Sequence, residues 1–236
     1  MDYSRPLEAI IPGTSGRVLG VLARTETELT ITQVAKLAQA SRDRTSVAIG
    51  RLVSLGIVSR REIAGAVLVR LERGSAAAGP LLALLDLRST VVDQLVAAAE
   101  MIDPQPASLA LFGSFARGTA GVGSDLDVLA IRPDGVGLDD ERWLDTFGEW
   151  QNIAQRVAGN PVHVLDVSVH ELPDLVEKRP MWQKIVREAM RLTGEEPERL
   201  AAEPHTRATI VSQAVPRSGP GTTRALAAHR SPRARR

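Results

Sequence analysis

Gly113-Ser114-Phe115-Ala116-Arg117-Gly118-Thr119-Ala120-Gly121-Val122-Gly123-Ser124-Asp125-Leu126-Asp127-Val128-Leu129-Ala130-Ile131 is the most informative stretch of this 236-residue chain. Ser108-Leu109-Ala110-Leu111-Phe112 before it reads as a buried strand, and the run from Leu126 to Ile131 as a second. A Gly-Ser turn and a short helical segment join them. Asp125 and Asp127 are two residues apart on a strand, so both project from one face. Paired carboxylates suit a hard cation such as Mg²⁺, which takes oxygen ligands and bridges to phosphates. Gly113 lets the backbone approach a ligand closely, and amides around Ser114 at the start of the helical segment can receive phosphate oxygens. Arg117 adds a cation nearby. A metal held between phosphates and carboxylates offsets charge while a phosphoryl bond is exchanged.

Working outward, Asp103-Pro104-Gln105-Pro106 ends a helix expected over 81–101. Its apolar residues Leu84, Leu85, Val91, Val92, Leu95 and Val96 form a stripe broad enough to serve a core, a dimer contact, or both. A helix is expected over 139–157, then a strand in Asn160-Pro161-Val162-His163-Val164-Leu165-Asp166-Val167. Pro173 and Pro180 punctuate a short helix at 174–178 and a second at 181–192. Met181, Trp182, Ile185, Val186 and Met190 of the latter are expected to close the core. Order is expected to fade from about residue 195. The segment 204–236, rich in Ala, Arg, Ser, Thr and Pro, is expected to be disordered.

The central stretch resembles the DNA polymerase beta-like nucleotidyltransferase superfamily, particularly its minimal bacterial members. Gly113, Ser114, Arg117, Gly118, Ser124, Asp125 and Asp127 carry the resemblance, which spans residues 81–194. It implies that Asp125 and Asp127 hold Mg²⁺, and that Gly113 and Ser114, with Arg117 beside them, hold the triphosphate of ATP or another NTP. The superfamily has a third carboxylate on a later strand. Here the corresponding strand has His163 where minimal enzymes commonly place the acid, and Asp166 three residues on. Either the strand is irregular and Asp166 completes the catalytic set, or His163 takes the third position. Odd spacing on a regular strand sends Asp166 to the opposite face, and a neutral imidazole is a poor Mg²⁺ ligand.

Residues 15–73 read as three helices and a hairpin. Val18, Leu19 and Leu22 form the stripe of a first helix over 15–24. Thr30-Ile31-Thr32-Gln33 fits a capping box for a second over 31–39. Ser41 caps a third, whose Thr45, Ile49 and Leu52 fall at i, i+4 and i+7 and whose end is marked by Gly56. Ile57-Val58-Ser59-Arg60-Arg61-Glu62-Ile63 and Ala66-Val67-Leu68-Val69-Arg70-Leu71 read as strands around an Ala64-Gly65 turn.

This succession resembles the winged helix-turn-helix family of bacterial regulators. The runs Leu29-Thr30-Ile31-Thr32-Gln33-Val34-Ala35-Lys36-Leu37-Ala38 and Arg51-Leu52-Val53-Ser54-Leu55-Gly56-Ile57-Val58 carry it. Where the family often has Gly between the two helices, this chain has Gln39, in a turn that does not always need a positive φ. The resemblance implies that the third helix enters the major groove of double-stranded DNA. Arg42, Arg44, Ser46 and Val47 would face base edges, and Arg51, Arg60 and Arg61 the phosphates.

The fold expected is therefore α+β: a winged helix domain (15–73), a small Gly-containing linker ending at Pro80, a nucleotidyltransferase α/β domain (81–194) and a basic tail (204–236). Charge follows the same divisions. The formal total is +1, yet residues 17–73 carry +5, residues 74–216 carry −9, and residues 217–236 carry +6. An acidic transferase module argues against a processive nucleic-acid polymerase and towards a protein or small-molecule acceptor. By analogy with minimal nucleotidyltransferases that act as antitoxins, the acceptor can be a partner toxin. A non-enzymatic transcription factor that senses nucleotide, or binds a partner, is the alternative. Palindromic half-sites suit a homodimer. The absence of cysteine removes disulfides and thiolate metal sites. No stretch approaches the ~18 uncharged apolar residues of a membrane span. Met1-Asp2-Tyr3-Ser4-Arg5-Pro6 lacks a basic leader, so a cytoplasmic protein is expected.

Overall fold

Pro6, with its fixed φ and missing N–H, opens α1 (Pro6–Ile10). In α2 (Thr14–Ala23) the expected stripe of Val18, Leu19 and Leu22 is buried. A two-residue strand, β1 (Leu29–Thr30), leads into α3 (Ile31–Leu37). The capping box is formed: Gln33 N donates to Thr30 Oγ1 at 3.2 Å and Thr30 N donates to Gln33 Oε1 at 2.8 Å. Ser41 Oγ accepts from Arg44 N at the start of α4 (Arg42–Ser54), which turns Thr45, Ile49 and Leu52 inward. β2 (Val58–Ile63) and β3 (Ala66–Leu71) make the hairpin. Ala64 and Gly65 both take positive φ, +49° and +76°, as a type I′ turn matched to strand twist requires. β1 pairs with the free edge of β3, giving an antiparallel sheet ordered β1-β3-β2.

The helix expected over 81–101 is instead two, α5 (Ala78–Ala83) and α6 (Leu87–Ala99). Its apolar stripe faces two different cores, so the chain bends between them. Leu81, Leu82, Leu84 and Leu85 pack onto the cluster built around Val18, Leu22 and Ile49. Val91 and Leu95 join a second cluster with Leu109, Phe115 and Trp150. The first core thus extends past residue 73, and the second begins near Leu87.

The remaining elements are β4 (Ser108–Phe112), α7 (Gly113–Ala116), β5 (Leu126–Arg132), α8 (Glu141–Ala158), β6 (Val162–Ser168), α9 (Leu172–Lys178), α10 (Pro180–Glu188), β7 (Met190–Gly194) and α11 (Pro197–Ala202). They form a four-stranded sheet ordered β6-β5-β4-β7, in which only β5 and β6 run parallel. Alternation along β5 sends Leu126, Val128 and Ala130 to the cluster shared with α6 and α8, and Leu129 and Ile131 to the cluster beneath α9, α10 and α11. Trp143, Phe147 and Trp150 stack along α8 with centroids 4.9 and 5.6 Å apart.

The helix expected over 181–192 ends at Glu188. Ala189 is extended, and residues 190–194 pair antiparallel with β4. The edge of β4 offers unpaired backbone groups, and the alternation of Met190-Arg191-Leu192 buries Leu192 beside it. Trp182, Ile185 and Val186 are buried as expected, whereas Met181 is exposed. α11, with Leu200 buried, occupies a stretch where order was expected to fade. At the other end of the chain, Tyr3 N and Ser4 N donate to Ala120 O, and the Tyr3 ring meets Phe115 edge-on at 4.8 Å. The computed structural model describes residues 1–203, so the expected tail at 204–236 lies outside the described residues. Among the described residues no helix is long and apolar enough to cross a membrane.

Gln39, between α3 and α4, takes a positive φ of +50°, the conformation glycine supplies in such turns. The left-handed region costs a side-chain-bearing residue about 1–2 kcal/mol, more than the roughly 0.5–1 kcal/mol of backbone entropy a glycine forfeits. Gln39→Gly is therefore expected to stabilise the protein by up to about 1 kcal/mol in urea unfolding. A lowered midpoint would show that the turn is not strained.

Candidate active site

The site lies where β4 ends and β5 begins. Phe112 closes β4, and Gly113, at φ +69°, turns the chain into α7. The register sets Phe112 directly opposite Asp127. As a result the Gly113 backbone lies against the Asp127 side chain: a Cβ at position 113 would stand 2.0 Å from Asp127 Oδ2 and 3.0 Å from its Cγ. Glycine suits the dihedral, and any side chain here would have to displace the Asp127 carboxylate.

α7 is held from behind. Phe115 is buried, and Arg88 of α6 donates to Phe115 O at 2.9 Å, alongside Gly118 N, and to Ala116 O at 2.6 Å at the end of the short helix. Thr119 N donates to Ser114 O, and Gly118 takes φ +73°, folding the chain back towards β5. Before Asp125 the loop is locked by a reciprocal pair, Gly121 N to Ser124 Oγ and Ser124 N to Gly121 O. The buried Asn160 Nδ2 donates to Ser124 O at 2.6 Å, and Leu126 N donates to Pro161 O at 2.8 Å. Asp125 is therefore exposed but flanked by fixed residues. Sequence reasoning missed both Arg88 and Asn160. Nothing marks Arg88, which lies far upstream; Asn160 had a faint signal, as the residue immediately before the Pro that starts the β6 segment.

Burial, and next the charge of Asp125, push the Asp127 carboxyl above the ordinary carboxylate range; His163 and Arg117 pull it the other way. Asp125, Arg117 and His163 are thus all within electrostatic reach of Asp127. Arg117 also reaches Glu188 of α10 at 3.3 Å. A raised carboxyl beside a second carboxylate, against a glycine backbone, is a donor set that a divalent cation relieves. Among the described residues no group of three acidic or histidine side chains gathers as a metal cluster.

The parallel pairing of β5 and β6 decides the third position. His163 is the register partner of Asp127, so the two share a face. Asp166 pairs with Ala130 and points to the other face. There its Oδ1 accepts from the buried Arg132 at 2.7 Å and its Oδ2 from Trp143 Nε1 at 3.1 Å. β6 is regular, and Asp166 does not join the pair. In the first module, Arg42, Arg44, Ser46, Val47 and Arg51 are exposed along α4, and Arg60 is exposed on β2. Arg61, expected to meet phosphate, is instead held by Glu28, with Arg61 Nε donating to Glu28 Oε1 at 2.6 Å.

Residues 92–192 match the family model described as a nucleotidyltransferase domain. The match starts within α6 and ends within β7, so it takes in β4, β5, β6 and both carboxylates. A solved structure described as the crystal structure of a toxin-antitoxin with AMP-PNP is similar at 18% identity and a TM-score of 0.34, covering 47% of this chain and 80% of that one. No curated protein matches.

Because the folded-state pKa of Asp127 is raised, its stabilising contribution is complete below about pH 4, the ordinary carboxylate value, and is lost as pH rises through the higher folded value. Asp127→Asn should therefore flatten the decline in thermal midpoint from acid towards neutral pH, measured in EDTA. An unchanged pH profile would mean the carboxylate is not destabilised. Gly113→Ala should lower stability by about 1–2 kcal/mol from the left-handed dihedral alone; a urea midpoint equal to wild type would show that position 113 tolerates a side chain.

Proposed function

We propose that the protein is a DNA-binding regulator whose second module transfers a nucleotide, AMP from ATP, to a hydroxyl of a protein or small molecule. The observation that carries this reading is Asp127 set against the Gly113 backbone with Asp125 within its electrostatic reach, inside a segment that matches a nucleotidyltransferase domain. Asp125 and Asp127 would hold Mg²⁺, which when bound neutralises carboxylates and triphosphate together. Gly113 and Ser114 would face the triphosphate, and Arg117 would offset charge on the departing pyrophosphate. The acceptor oxygen forms a bond to the α-phosphorus while the bond to the bridging oxygen breaks. The −9 charge of residues 74–216 favours a protein or small-molecule acceptor over a nucleic acid. An antitoxin-like role, in which the acceptor is a partner toxin, fits that preference.

The first module is assigned as a winged helix-turn-helix, with α4 as recognition helix and β2-β3 as wing. Arg42, Arg44, Ser46 and Val47 would read base edges in double-stranded DNA, and Arg51 and Arg60 would meet phosphates. Arg61 is left out because Glu28 neutralises it. A homodimer would present two such helices to paired half-sites.

His163 beside Asp127, with Asp166 committed to Arg132, favours a second reading: the domain binds nucleotide without turnover and serves as a sensor. Incubation with labelled ATP, Mg²⁺ and candidate partner proteins separates the two. Label transfer by the wild type should fall by about 10²–10³-fold or more in Asp125→Ala plus Asp127→Ala. Nucleotide binding by the wild type with no transfer to any acceptor would favour the sensor. For the first module, Arg44→Ala should weaken specific operator binding by about 1–3 kcal/mol in a gel-shift titration; unchanged affinity would remove Arg44 from the reading set.

A further inference from the structure

A cleft of about 350 Å³ lies between α1, α2 and the end of α3, away from the exposed face of α4 and from the carboxylates. Arg5, Arg17 and Arg24 line it against a single acid, Glu8. Two of the guanidinium groups are held in place by backbone carbonyls. Arg17 Nη1 donates to Gln39 O at 2.9 Å, and Arg24 donates through Nη1 to Gly20 O at 3.3 Å and through Nη2 to Ser4 O at 3.2 Å. A guanidinium has five N–H donors, so each keeps several for a ligand. Glu8 stands 3.9 Å from Arg5, and Arg17 and Arg24 have no acidic side chain within 4 Å among the described residues.

The opposite wall is apolar. Val21 and Leu37 line it, and Leu37 is 58% exposed although it sits on a helix whose other aliphatic residues turn inward. Cationic forks already restrained by carbonyls lose little freedom on meeting an anion, and their geometry matches phosphate oxygens. The volume is at the lower end of small-molecule pockets, about 300–1,000 Å³. We infer that this cleft binds a small phosphorylated molecule no larger than a mononucleotide, its phosphate facing Arg17 and Arg24 and its uncharged part lying on Val21 and Leu37. Every residue lining the cleft lies between Ser4 and Gln39, and Ser4 is its link to the second module. Gln39 is the turn that precedes α4, and Ser4, whose carbonyl Arg24 holds, donates its N–H to Ala120 O in the loop leading to Asp125.

AMP is the probe, titrated calorimetrically into the full chain carrying Asp125→Asn and Asp127→Asn, with EDTA present, so that the carboxylate site is disabled. One saturable site is expected. Its affinity should fall by about tenfold or more when Arg17→Gln and Arg24→Gln are added. Leu37→Glu, at an exposed position that bears no packing load, should weaken binding comparably by setting a negative charge on the rim. Absence of AMP binding overturns the inference, as does binding that neither change alters. Should the arginine variants instead weaken a short DNA duplex and reduce its salt dependence, with no AMP site to lose, the cleft is a contact for the nucleic-acid backbone and the inference likewise fails.

Discussion

The Asp127 carboxylate occupies the space that a side chain on residue 113 would need. That contact ties the site together. β4 must stop at Phe112, because the next residue has to pass under Asp127 with positive φ. α7 therefore begins there, and the guanidinium of Arg88 holds its last two carbonyls from α6. The second carboxylate follows from the first. Asn160 and Pro161 pin Ser124 and Leu126 on either side of Asp125, holding it close enough to repel Asp127. Two like charges kept together by hydrogen bonds to the flanking backbone are an arrangement that folding alone does not favour.

The sheet register distributes the other charged groups. Residues on one strand alternate between faces, so a single parallel pairing, Asp127 beside His163, settles where every polar side chain of β6 can go. Asp166 is left to the α8 face, where it neutralises an otherwise buried arginine and accepts from an indole N–H. A buried guanidinium is costly unless paired, and Asp166 at 2.7 Å, with Glu171 at 3.6 Å, supplies that pairing for Arg132.

Much of this was legible in advance. Caps at Thr30 and Ser41 and the i, i+4, i+7 pattern of Thr45, Ile49 and Leu52 located α3 and α4 because those signals are local. The turn at Gly113 was legible because glycine geometry needs only a few residues, whereas Asp125, read as a strand residue, lies just before β5. Non-local choices were not legible. β1 is two residues long and exists only because β3 has a free edge. Met190 and Leu192 suit a helix or a strand equally, and the edge of β4 decided between them. The leucines at 81–85 carried no mark of which core they would join. Arg61 looked like any exposed wing arginine until Glu28, 33 positions earlier, was found beside it.

The residues at the very start of the described chain bear on how the molecule could be taken apart. Tyr3 belongs to the hydrophobic cluster of the second sheet, Leu7 and the leucines of α5 to that of the first, and α6 returns to the second. In topological terms the first module is inserted within the second, entering after Ser4 and leaving before Leu87. A single cut at the glycine- and alanine-rich stretch would liberate neither half intact, stripping four leucines from one and an aromatic from the other. Clean dissection calls for two cuts, with the flanking ends rejoined.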